Sequence, residues 1–169
     1  MVARCLPPAR VLQGRSLQAA SRAALCPAPD RHHAAAGAQV VCQSSTVSAQ
    51  YSTEKHDARN VLDGNVDTFW QSAATKVTNQ WISFDLAVQV SLSHVDFYGR
   101  SPGNPSFPKN IRIESSSDGK RKCHGPWTVV QRCTSPNDDA SGDVYTCSMP
   151  AASTSRYWKT HFENNHGNQ

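Results

Sequence analysis

The run "WISFDL", residues 81–86, alternates residue by residue. Ile82, Phe84 and Leu86 fall on one face of an extended strand, and Trp81, Ser83 and Asp85 on the other. A period of two does not fit a helix, and it gives the segment one apolar and one polar face. The same texture recurs along the chain. "SHVDFYG" sets Val95 and Phe97 together, and "NIRIESS" turns Ile111 and Ile113 inward and Arg112 and Glu114 outward. "WTVVQRC" and "DVYTCSM" read as two further strands around the polar loop "TSPNDDASG". "RYWKTHFE" puts Trp158, Thr160 and Phe162 on one face and Tyr157, Lys159 and His161 on the other.

Turn signals separate these runs at Asp63-Gly64, Pro102-Gly103, Asp118-Gly119 and Gly125-Pro126. No segment sustains a 3.6-residue period. Many short strands between Gly/Pro turns predict an all-β antiparallel sandwich or jelly roll. The 169 residues suffice for one such domain plus a tail.

The tail is the N-terminal stretch, and it carries the charge. Residues 1–40 hold Arg4, Arg10, Arg15, Arg22 and Arg31 against Asp30 alone, while the rest of the chain holds 12 basic and 12 acidic side chains. The basic balance therefore belongs to the leader, and a neutral domain is not expected to bind nucleic acid. The short "KRK" cluster at Lys120–Lys122 reads as a solvated turn. Residues 1–39 are rich in Arg, Ala and Ser, the composition of an organelle presequence or of a disordered low-complexity leader. Pro and polar residues interrupt every apolar run there, so a secretory signal is not expected, and an intracellular or organellar location follows. Residues 40–169 form the expected domain.

"NVLDGNVDTFWQS", residues 60–72, packs an Asp-Gly turn, two carboxylates, a Thr and a Trp into thirteen positions. Asp63, Asn65, Asp67 and Thr68 offer hard oxygen ligands around a tight turn, which suits calcium. An Asx turn, in which Asp63 and Asn65 bond their own backbone, is the alternative. Trp70 is expected in the core, plugging the end of the barrel. Trp158 is expected in the core, with Trp81 and Trp127 half-buried at strand starts. No GxSxG, HExxH or P-loop occurs, and an enzyme is not expected. No CxxC pair occurs, so a zinc site is not expected. Cys133 and Cys147 flank one loop and are placed to bridge it, with Cys123 as a competitor. In a reducing compartment all six cysteines would be free thiols, and this is the expectation.

In order, "VSAQYSTEKHDARNVLDGNVDTFWQS", "QWISFDL", "VSLSHVDFYGR", "FPKNIRIESSSDGK…PWTVV" and "SRYWKTHF" resemble the discoidin, or coagulation factor V/VIII type C, family of galactose-binding-like jelly rolls. The resemblance spans about residues 42–165. It implies a non-catalytic module that binds a glycan or glycoprotein through loops at one end of the sandwich. Arg100 and Asn104 match places of polar sugar contacts, with His56 and Gln71 on the rim. Gln71 stands where sugar-binding relatives often carry a His, and Ala74 where they carry an aromatic. An intracellular protein-interaction subunit with the same fold is therefore the alternative. The resemblance also assigns a structural calcium to Asp63, Asn65 and Thr68. The loops carry only Val77 as a large apolar group, so membrane binding is not expected. Cys42 matches the family's N-terminal disulfide cysteine, without its C-terminal partner. The family's closing strand has no counterpart after "ENNHGNQ", so the expectation is either that the chain is a fragment or that the neighbouring strand is left with an open edge.

Overall fold

The computed structural model describes residues 2–4, 37–45, 57–63, 68–73, 76, 78–98, 108–118, 123, 125–135, 144–150 and 153–165. Among them the strands are β1 (Val2–Arg4), β2 (Gln39–Gln43), β3 (Gln80–Ser91), β4 (His94–Tyr98), β5 (Asn110–Ser116), β6 (Thr128–Thr134), β7 (Val144–Ser148) and β8 (Thr154–Phe162). A 3₁₀ turn, Ala58–Leu62, is the one helical element among the described residues. No described helix is long and apolar enough to cross a membrane.

Two antiparallel sheets result, with strand orders β1-β4-β7 and β2-β3-β8-β5-β6. This is the expected all-β sandwich. The alternating pattern places the core. Ile82, Phe84 and Leu86 of β3, Ile111 and Ile113 of β5, and Trp158 and Phe162 of β8 are buried between the sheets. Phe97 and Cys147 meet them from the three-stranded sheet. The Phe97 ring lies edge-on to Phe162 at 6.0 Å and stacks on Tyr145 at 6.4 Å. Each such ring contributes roughly 1.5–3 kcal/mol of hydrophobic stabilisation.

Both open sides of the sandwich are closed. On one side the edge strands β6 and β7 are joined by the Cys133–Cys147 disulfide, with Gln131 Nε2 donating to Ser148 O at 2.7 Å. On the other side the 3₁₀ turn touches β1 and β2. Its N-terminus is capped by Asp57, whose Oδ1 accepts from Arg59 N at 2.8 Å. The hydrogen bond from the Arg59 side chain, foremost, holds the Asp57 carboxyl below the usual carboxylate range.

Two expectations are corrected and one feature is added. The first concerns the cysteines, which are not all free: Cys42 pairs with Cys123 and Cys133 with Cys147. Cys5 and Cys26 lie outside the described residues. The second concerns the leader, which contributes a strand. Val2–Arg4 runs antiparallel to β4, in register Val2↔Tyr98, Ala3↔Phe97 and Arg4↔Asp96. β4 is thus flanked on both sides, because an unpaired row of strand N–H and C=O groups accepts whatever extended segment reaches it.

The added feature is the outward face of the five-stranded sheet, where Ser83, Asp85 and Glu114 are buried. Cys123 belongs to the β5–β6 connection, yet it bonds Cys42 on β2, the opposite edge of the sheet. At Cys123 the connection therefore reaches across β8 and β3. At its end Trp127 packs its ring 4.7 Å from Lys159 Nζ, and Lys159 pairs with Glu114. Arg112 Nε donates to the other Glu114 oxygen at 2.6 Å. Asp85, 1% exposed, receives both Nε and Nη2 of Arg156, at 2.6 and 2.9 Å. A buried carboxylate needs such partners, since an uncompensated one costs several kcal/mol. Asp85 also accepts from Ala87 N at 2.9 Å, which holds Ala87 at φ 65° in the irregularity that interrupts β3 between Asp85 and Val90.

Candidate functional site

β3 and β5 begin, and β6 and β8 end, at the same end of the sandwich. Gln80 pairs with Phe162 there, and Asn110 with Thr134. The segment before Gln80 therefore emerges at this end, as does the connection that enters β5 through Pro108, itself bridged to Asn165.

Trp70 is the plug the sequence predicts. It is 6% exposed and stacks on Phe162 at 5.7 Å, and its Nε1 donates to Ser45 O at 3.0 Å. Gln71 follows it directly and is half-buried at the rim. The segment after Trp70 is fastened through Ser45. Ser45 Oγ accepts from Ala73 N at 3.2 Å and donates to the Gln80 side-chain oxygen. Ser44 Oγ donates to the same oxygen at 2.9 Å, and Gln80 Nε2 donates to Thr78 O at 2.8 Å. Ser72 Oγ donates to Lys76 O at 2.8 Å, closing the next turn. Asn79, at φ 54°, ends the loop by donating its N–H to Glu163 O at 3.2 Å.

Sequence reasoning missed Ser44, Ser45 and Gln80. They fall outside the alternating pattern, and the bonds between them span about 35 positions. The buried amide of Gln80 joins the β2 end to the loop that presents Gln71.

Of the expected metal ligands, the structure brings two together. Thr68 Oγ1 donates to Asp63 Oδ2 at 2.6 Å, and Asp63 N donates to Asn60 O at 3.3 Å. A carboxylate and a hydroxyl are the hard oxygens calcium takes, but alone they fall short of its usual six to eight. Asn65, the third expected ligand, lies outside the described residues. So do Arg100, Asn104 and His56. Among the described residues no group of three or more His, Cys, Asp or Glu converges on a metal position.

Beside the loop end, on the outer face, lies a charged cluster around Glu163. Its Oε1 accepts from Arg112 Nη1 at 3.0 Å and from Arg132 Nη1 at 2.6 Å. Arg112 Nη2 meets His161 Nδ1 at 2.6 Å, so this nitrogen accepts and the imidazole is neutral. Burial first, and then the Arg112 charge, hold His161 below the usual imidazole range, against the opposite pull of Glu114 and Glu163. The unfolded chain takes up this proton more readily than the fold does. Stability is therefore expected to fall as pH drops from about 7.5 through the ordinary histidine range near 6.5. Thermal unfolding between pH 7.5 and 5 reads this, and His161→Gln flattens the slope. An unchanged slope in that variant assigns the pH dependence elsewhere.

Comparison with known proteins points one way. The F5/8 type C domain model matches residues 41–169. The C-terminal domain of a chitobiase from Bacteroides fragilis superposes with a TM-score of 0.63 at 21% identity, covering 78% of this chain and 85% of that one. A CBM32 domain from Clostridium perfringens, in complex with GalNAc-β-1,3-galactose, gives 0.64 at 15% identity, covering 78% and 88%. The family 32 CBM of C. perfringens NanJ, in complex with galactose, gives 0.60 at 18% identity, covering 78% and 86%. A comparison with curated proteins finds no match.

Proposed function

The chain belongs to the F5/8 type C domain family, and from that premise we propose that it is a non-catalytic module that binds glycan through the loop end of its sandwich. One observation carries the reading. The segment with Gln71 is pinned at that end by Trp70, Ser45 and Gln80, which leaves a half-buried amide at the rim of a fixed scaffold. A preorganised polar group on a rigid frame is what recognition of sugar hydroxyls requires. Two similar domains are known with galactose and with GalNAc-β-1,3-galactose, which adds support for a saccharide ligand.

The two disulfides support folding in an oxidising compartment, and they weigh against a cytosolic interaction subunit. Asp63 and Thr68, with Asn65, are the residues that would hold a structural calcium and stiffen the turn before Trp70.

A glycan array with the folded chain tests the proposal. Binding of a defined saccharide class is expected, and Gln71→Ala and Arg100→Ala each weaken it about tenfold, the loss of one or two hydrogen bonds. Silence across the array overturns the reading, as does binding that both variants leave unchanged. Parallel arrays in calcium and in chelator read the part played by the ion.

A further inference from the structure

Arg112 and Arg132 stand directly opposite each other on β5 and β6. Like charges at that spacing repel, and both guanidiniums lean on the same oxygen, Glu163 Oε1. Their remaining capacity differs. Each nitrogen of Arg112 has a partner, Glu114 at Nε, Glu163 at Nη1 and His161 at Nη2. Arg132 spends only Nη1, and its side chain is 59% exposed. Glu114 is already offset by Lys159, and His161 is neutral. Arg112 and Arg132 thus share one carboxylate, Glu163, which among the described residues leaves this face with a positive excess and a guanidinium fork turned to solvent.

The excess sits next to the candidate site. The Glu163 carbonyl takes the N–H of Asn79, the last residue of the loop that presents Gln71, and the Glu163 N–H donates to Asn110 O at 2.8 Å. A saccharide chain that extends from the loop end toward Glu163 meets this face. A planar guanidinium with free N–H groups pairs best with a carboxylate or a sulfate.

We propose that the ligand is an acidic glycan, and that Arg132 holds an anionic substituent of a sugar unit next to the one at the loop end. This rests on the glycan reading above and adds the chemical class of the ligand. Arg132 lies on the sheet face, outside the loop set around Gln71, so neutral and charged parts of the ligand are read by different side chains.

Calorimetric titration of the full chain with three oligosaccharides of matched length tests it: a neutral galacto-oligosaccharide, an oligogalacturonate and a sulfated galacto-oligosaccharide. At low salt an acidic probe is expected to bind about tenfold more tightly than the neutral one, and about 0.5 M salt erases the advantage. Which acidic probe gains tells carboxylate from sulfate. Arg132→Gln removes the advantage and leaves neutral binding unchanged. Arg132→Lys keeps part of it, because the charge remains and the fork is lost. Equal affinity for all three probes overturns the proposal and leaves the glycan reading standing. So does an acidic advantage that survives Arg132→Gln. Absence of binding to any saccharide removes both.

Discussion

Cys42→Ser is expected to lower the stability of the domain by about 4 kcal/mol, the largest effect of any single side chain on the outer face. The bridge joins positions 81 residues apart, and closing so long a loop removes about 4.5 kcal/mol of chain entropy from the unfolded state in the loop-closure model. The variant also frees the β5–β6 connection. Trp127 can then leave Lys159, and water reaches the ion pair of Lys159 with Glu114. Against a total of about 5–15 kcal/mol for a domain of this kind, such a loss brings the fold near its threshold. Denaturant unfolding of the two proteins without reductant measures it. Cys133→Ser is the internal control, with an expected cost nearer 3 kcal/mol because its partners are only 14 residues apart. A Cys42→Ser loss below about 1 kcal/mol would mean that Trp127 and its neighbours hold the connection without the bridge.

Trp70→Ala is expected to cost roughly 3–5 kcal/mol, the range for deleting a buried indole from a core that cannot collapse around the gap. The ring fills the space against Phe162 and gives its N–H to Ser45 O. Trp70→Phe separates the two parts. It keeps the ring contact and gives up the hydrogen bond, for about 1–2 kcal/mol. Both variants loosen the segment that carries Gln71, so saccharide affinity falls further in Trp70→Phe than its stability loss alone implies. Denaturant curves and array binding on the same preparations check this. A Trp70→Phe protein with full affinity would detach the indole N–H from the site.

What the sequence reveals of this fold follows the range over which each interaction acts. The inward faces of β3, β5 and β8 are legible, because alternation is a local property: Ile82, Phe84, Ile111, Ile113, Trp158 and Phe162 all sit where a period of two puts them. Trp70 is legible as a plug for its place after a polar turn. The burial of Asp85 and Glu114 is not legible. It depends on a connection that returns from the far side of the sheet, on a partner for Cys42 that lies 81 positions away, and on Arg156 and Lys159 arriving across strand pairings. β1 is hidden for the same reason, since nothing in "VAR" distinguishes it from its Arg- and Ala-rich surroundings. At the candidate site Asp63 and Thr68 announce themselves by type and spacing, and Gln71 only by its place in the family resemblance. Ser45 and Gln80, which hold the loop in place, are polar residues with no local pattern to betray them.

The Cys133–Cys147 bridge turns residues 133–147 into a covalent ring. A protease that cuts between the two cysteines leaves the halves of the chain joined through sulfur, with β6 and β7 still fastened at the seam. Main-chain continuity between Cys133 and Cys147 is therefore not all that joins β6 to β7. A reporter or a second binding module grafted between the two cysteines would leave that covalent link in place.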